Sequence, residues 1–122
     1  APTTSDERVR AAAEMSRGFL YAIGRFGVTG AHTELDDKAL AFLRRVRSLT
    51  DLPLALGFGI RTRAQVRAVT EVADLAIVGS ALVQKVHEAF VAADDPADAA
   101  RAARRYLEEL IEGVAPSRID AP

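Results

Sequence analysis

The sequence predicts an α/β protein built from parallel β/α units, and two observations carry that prediction. First, three short runs, FLYAI (19–23), the LPLALGF part of LPLALGFGI (strand over about 53–58) and LAIV (75–78), are apolar without alternation. Strands buried on both faces beneath helices read this way. Second, each run is followed by a segment with apolar residues at helical spacing. Alternation of that kind implies right-handed crossovers and a parallel sheet. With 122 residues the chain has room for one small domain, and no linker or low-complexity tract divides it.

The first element is a helix with no strand before it. Thr4 and Glu7 have the spacing of a capping box, and Asp6 and Glu7 suit the positive end of the helix dipole. Val9, Ala12, Ala13 and Met15 form its expected buried side, and Gly18 is the expected stop. After strand 19–23 comes a long glycine-bearing loop, GRFGVTGAHTELDD (24–37). It exceeds the roughly 2–6 residues that usually join a strand to a helix. Asp36 or Asp37 then caps a helix to about Leu49, with Leu40, Leu43, Val46 and Leu49 inward, Phe42 beside them, and Arg44, Arg45 and Arg47 expected to face water.

The second strand leads to a second capping box, Thr62 with Gln65, and to Val66, Val69 and Val72 on a helix. The third strand runs into a helix through Val83, Val86 and Phe90. The last helix has Asp95 as N-cap, Pro96 at its first position, Tyr106, Leu107, Leu110 and Ile111 as its apolar side, and Gly113 as its stop. The expected division is a domain over 1–113 and a tail over 114–122.

Composition narrows the function. A net charge of -1 with 27% charged residues supplies no basic face for nucleic acid. There is no cysteine, so disulfides and thiolate zinc sites are excluded. No apolar run approaches the roughly 20 residues of a membrane span, and no signal-peptide pattern is present. The expectation is a cytoplasmic protein with neither nucleic acid nor membrane as partner.

Ligands of parallel α/β proteins bind beyond the carboxyl ends of the strands. Those ends read AIGR, LGFGI and IVGSAL, each with glycine. Gly79 and Ser80 stand where the third strand turns into a helix, whose orphan amides and dipole suit an anion. Gly57 and Gly59 flank that point from the neighbouring strand. Paired glycine turns after consecutive strands are a phosphate site of barrels. Other chemistry is weakly represented. GFGIRT lacks the third glycine and the following acid of a dinucleotide fingerprint. Ser80 lacks the flanks of a nucleophile elbow. His32 and His87 read as solvated side chains, and no paired-histidine motif suggests a metal. Glu34, Asp36 and Asp37 read as capping residues, and Asp74 precedes the amino end of a strand. The chain is thus equipped to hold an anion but not to move protons.

GFLYAIGRFGVTGAHTEL, LPLALGFGIRTRAQV and VADLAIVGSALVQKV together resemble the last part of the tryptophan synthase alpha chain family. The resemblance covers essentially the whole chain and implies strands six to eight of a TIM (β/α)8 barrel. The family is a lyase that cleaves indole-3-glycerol phosphate to indole and glyceraldehyde 3-phosphate. The resemblance implies that Gly30, Gly59, Gly79 and Ser80 hold the substrate phosphate, and that Tyr21, Phe58 and Ile77 line the indole pocket. Arg25 and Thr29 match a mobile loop that closes over substrate, with Thr29 meeting a catalytic aspartate. Gly24 stands where serine is usual, a change expected to loosen the hinge. No cofactor is implied; the partners implied are a phosphate ester and the tryptophan synthase beta chain.

The family's catalytic glutamate and aspartate belong to the first part of the barrel, which this sequence does not contain. Catalysis by this chain alone is therefore not expected, and its closing loop is expected to be mobile. A missing half-barrel, or self-association, would have to cover its edges. Two alternatives stay open: a non-catalytic phosphate-binding or self-assembling half-barrel, and another phosphate-binding barrel such as indole-3-glycerol phosphate synthase or thiamine phosphate synthase.

Overall fold

The computed structural model describes residues 1–24 and 36–114. Its elements are α1 (Asp6–Met15), β1 (Leu20–Ile23), α2 (Asp37–Arg47), β2 (Leu54–Gly57), α3 (Arg63–Thr70), β3 (Leu75–Ile77), α4 (Ser80–Ala93) and α5 (Pro96–Ile111). The strands form a parallel sheet in the order β1-β2-β3. Element order and strand direction are those the sequence predicts. The long loop, with Arg25, Thr29, Gly30, His32 and Glu34, and the tail beyond Val114 lie outside the described residues.

Local chemistry explains most of the helix ends. Asp36 Oδ1 accepts from the amides of Lys38 (2.6 Å) and Ala39 (3.2 Å). Thr62 and Gln65 close the expected capping box at α3. Asp95 accepts from the amide of Ala97 (2.8 Å), with Pro96 at the first helical position. At α1 the expected cap is corrected: Ser5, not Thr4, accepts from the amide of Arg8. The Thr4 hydroxyl accepts instead from the Ala1 amino group at 3.1 Å, and its carbonyl from Arg45 at 2.7 Å. The end of α1 is corrected too. Ser16 ends the helix in extended backbone, and Gly18 takes its positive φ of 83° two residues later.

The strand register separates the two faces of the sheet. Leu20, Ala22, Leu54, Leu56 and Ala76 share one face, while Tyr21, Ile23, Ala55, Gly57, Leu75 and Ile77 share the other. The first face joins a single buried cluster with Val9 of α1, Ala39, Leu43 and Val46 of α2, Val66 and Val69 of α3, and Tyr106 and Leu110 of α5. The second face is open: Tyr21 is 48%, Ile23 44% and Leu75 37% exposed. The expectation of three strands buried on both faces is thus met by β2 alone. Among the described residues the helices cover one face, and only the middle strand is sheltered on the other by its neighbours' side chains.

Several expected core positions follow the same pattern. Met15, Val83, Phe90, Leu107 and Ile111 are exposed, and α4 has no fully buried residue. Arg45 and Arg47 are corrected in the opposite sense. Arg45 pairs with Asp6 at 2.7 Å and lies over the Phe42 ring. Arg47 pairs with Asp74 and donates to the carbonyl of Leu52 at 3.1 Å. Among the described residues no helix is long and apolar enough to cross a membrane.

Candidate functional site

The site begins where β2 ends. Phe58 and Gly59 follow with φ of 102° and 81°. Glycine adopts that region freely, but a bulky residue there is a genuine outlier. Two successive positive-φ residues swing the chain sharply off the strand. Ile60 then returns to the core at 3% exposure. Gln65, buried on α3, receives the amides of Arg61 (2.9 Å) and Thr62 (3.3 Å) on one side-chain oxygen. Tyr106 of α5 donates its hydroxyl to the carbonyl of Arg61 at 2.8 Å. The turn is therefore held through both the amide and the carbonyl of a single residue.

The facing wall comes from β3. Gly79 is the N-cap of α4, and no side chain caps that end. Its carbonyl accepts from the amides of Leu82 (2.9 Å) and Val83 (3.1 Å). The first turn of α4 thus presents a positive dipole end to its surroundings.

Between the two walls lies a cavity of about 280 Å³, lined by Gly59, Ile60, Arg61, Thr62, Ser80, Ala81, Gln84, Lys85 and Tyr106. Among the described residues its lining includes Arg61 and Lys85 and no carboxylate, and the Lys85 ammonium lies 3.7 Å from Glu88. Burial raises the pKa of Tyr106, against a smaller lowering by the nearby Arg61 guanidinium, so the phenol remains a proton donor at neutral pH. The arrangement suits an anion of modest size: a helix start and a glycine turn meet at it, with Arg61 and Lys85 in its lining.

The structure brings Gly59 and Ser80 onto this cavity, with Gly79 at the head of the same helix. Tyr21 and Ile77 stand apart from it, on the open face of the sheet. A Cβ on Gly57 would lie 2.4 Å from the Tyr21 hydroxyl, so the bare glycine is what lets the Tyr21 ring lie against β2. Phe58 is 54% exposed just beyond the strand. Gly24 has a packing role as well, since a Cβ there would meet Leu56 at 2.9 Å and Ala39 at 3.2 Å. Arg25, Thr29 and Gly30 lie outside the described residues.

Sequence reasoning missed Arg61, Gln84, Lys85 and Tyr106. Tyr106 was legible only as part of an apolar stripe. Its one signal is chemical: a tyrosine on a buried face brings a hydroxyl that needs a partner.

Three consecutive β/α units, with glycine turns at the carboxyl ends of parallel strands, define a segment of a (β/α)8 barrel. The chain belongs to the tryptophan synthase alpha chain family, whose sequence profile matches residues 1–114. It is 43% identical over 114 residues to the tryptophan synthase alpha chain of Methanopyrus kandleri, covering 93% of this chain and 40% of that protein. It is 41% identical over 85 residues to that of Bacillus subtilis (strain 168), covering 70% of this chain and 32% of that protein.

Solved structures agree. Tryptophan synthase from M. tuberculosis in its aminoacrylate-bound form superposes with a TM-score of 0.70 at 32% identity, covering 93% of this chain and 38% of that one. The tryptophan synthase a2b2 complex of Pyrococcus furiosus superposes with a TM-score of 0.71 at 32% identity, covering 91% of this chain and 43% of that one. The chain therefore spans about two fifths of the length of these relatives. That share is close to three units of an eight-unit barrel, the C-terminal strands six to eight.

Proposed function

We propose that this chain is the phosphate-holding part of a tryptophan synthase alpha chain, and that its cavity takes the phosphate of indole-3-glycerol phosphate. The observation that carries the proposal is the meeting of the Gly59 turn and the uncapped start of α4 at one cavity with Arg61 and Lys85 on its walls. Backbone amides and the helix dipole would bind the phosphate oxygens, with Ser80 contributing its hydroxyl. On this reading Gly30 joins Gly59, Gly79 and Ser80 at the phosphate, and Tyr21, Phe58 and Ile77 face the indole ring. Arg25 and Thr29 serve closure over the bound ester. The open face that holds Tyr21 and Ile77 would then be the inner wall of the barrel.

The reaction would be a lyase cleavage to indole and glyceraldehyde 3-phosphate in tryptophan biosynthesis, in the cytoplasm and alongside a beta chain. The acid-base glutamate and the aspartate that stabilises the protonated indole ring would come from the other β/α units. Binding and catalysis are then separable. Calorimetry with glycerol phosphate should show saturable binding by this chain alone. Indole release from indole-3-glycerol phosphate should require the remaining five units in trans. No binding of glycerol phosphate would overturn the assignment of the cavity. Binding without indole from a well-folded mixture would overturn the catalytic part.

The exposed apolar residues of β1 and β3 favour a second reading, a half-barrel that assembles with itself. A solution mass measurement separates the two, because a stable dimer that binds phosphate and resists complementation would support self-assembly.

A further inference from the structure

We propose that Tyr106 is a positioning residue for the anion cavity: its hydroxyl, holding the Arg61 carbonyl from α5, aims the Gly59 turn at the start of α4. This rests on the reading of that cavity as a phosphate site. The two walls of the cavity come from different β/α units, joined at their bases by the pairing of Gly57 with Ile77, and the turn after β2 extends beyond that pairing. The wall after β2 contains the positive-φ pair Phe58 and Gly59, a backbone with little intrinsic preference for its shape. Gln65 secures the amide side of that turn, from the helix that immediately follows it. The carbonyl side is secured from 45 residues away by Tyr106.

Tyr106 is only 9% exposed, so its ring is locked by packing and its hydroxyl has a defined direction. The helix that carries it, α5, packs along α4 and also against α3. One rigid element thus supports both walls, and the Tyr106 hydroxyl is where it grips the backbone of the glycine turn. An ordinary core tyrosine would contribute to stability alone. A positioning tyrosine contributes to ligand affinity beyond its share of stability.

Calorimetry with glycerol phosphate and with inorganic phosphate, on the wild-type chain, Tyr106→Phe and Leu110→Val, tests this. Leu110 is buried one turn further along the same helix, outside the lining of the anion cavity although it shares a neighbouring one with Arg61, Thr62 and Tyr106, so its truncation loosens α5 and this corner while keeping the hydroxyl. Tyr106→Phe should bind both anions about fivefold more weakly, the scale of one net hydrogen bond. Leu110→Val, melting no higher than Tyr106→Phe, should bind as the wild type does. Amide hydrogen exchange at Gly59 and Ile60 should quicken in Tyr106→Phe. Wild-type affinity in Tyr106→Phe, or unchanged exchange at those amides, would overturn the positioning role and leave the phosphate site standing. Equal weakening in Leu110→Val would reduce Tyr106 to a core residue. Absence of binding by the wild type would remove both the positioning role and the site.

Discussion

At Gly59 the backbone conformation is what turns the chain. Its φ of 81° lies in the left-handed region, and a Cβ built there meets no atom within 4 Å. Any penalty for Gly59→Ala therefore comes from conformation and not from crowding. We expect a loss of about 1–2 kcal/mol in stability, the cost of placing an L-residue in that region, read from urea unfolding midpoints at constant slope. Gly57 presents the opposite case. Its φ is negative, but a Cβ would strike the Tyr21 ring, so alanine there acts through sterics. The two glycines flank Phe58 and serve different ends: one turns the chain, the other makes room for an aromatic ring on the open face.

At the scale of elements, the sheet is pinned at its amino end by a polar device that takes no part in the cavity. The Asp74 side chain, 6% exposed, accepts from the amide of Leu54 at 2.8 Å and pairs with Arg47 of α2. The amide of Asp74 donates to the carbonyl of Leu54 at 2.8 Å. One residue thus joins the starts of β2 and β3 to the end of α2. Asp74→Ala removes the acceptor of a strand amide and one partner of a guanidinium that keeps the Leu52 carbonyl and is partly exposed, so thermal or urea unfolding should show a loss of about 1–3 kcal/mol. A loss below about 1 kcal/mol would mean that water replaces the carboxylate at this joint. The other end of the sheet, where the strands deliver their glycine turns, is left to shape the cavity. This division between a stabilising and a binding end is the usual one in barrels.

At the scale of the whole molecule, the dominant fact is a sheet that the described helices cover on one face only. Tyr21, Ile23 and Leu75 expose apolar surface beside sheet edges that no other described strand pairs, and α4 adds Val83 and Phe90. Surfaces of this kind associate. Ile23→Lys places a charge at the β1 edge of that face without disturbing the buried cluster on the other. It should lower the association seen by light scattering while changing the unfolding free energy by no more than about 0.5 kcal/mol. Unchanged association would locate the contact elsewhere, on the strand edges or on α4.

Local features were legible from sequence because their causes lie within a few residues. Asp36, Thr62 with Gln65, and Asp95 cap the helices they were expected to cap, since a cap is a bond across two or three positions. The parallel order of three strands follows from the alternation of apolar runs with helical segments, and the meeting of Gly59 and Ser80 follows from that order. Long-range partners were not legible. Tyr106 meets Arg61 across 45 positions and Arg47 meets Asp74 across 27, and helical spacing places such side chains on a face without naming what they touch. The apolar runs show that each strand is suited to cover on both sides. Tertiary structure alone decides which side receives it: the register sends Leu54 and Leu56 under the helices and turns Tyr21 and Ile23 to the open face. Sequence thus determined the family, the units and their order. The packing of α5 against α3 and α4 decided how the two glycine turns are held to one cavity, because that contact joins segments the chain keeps far apart.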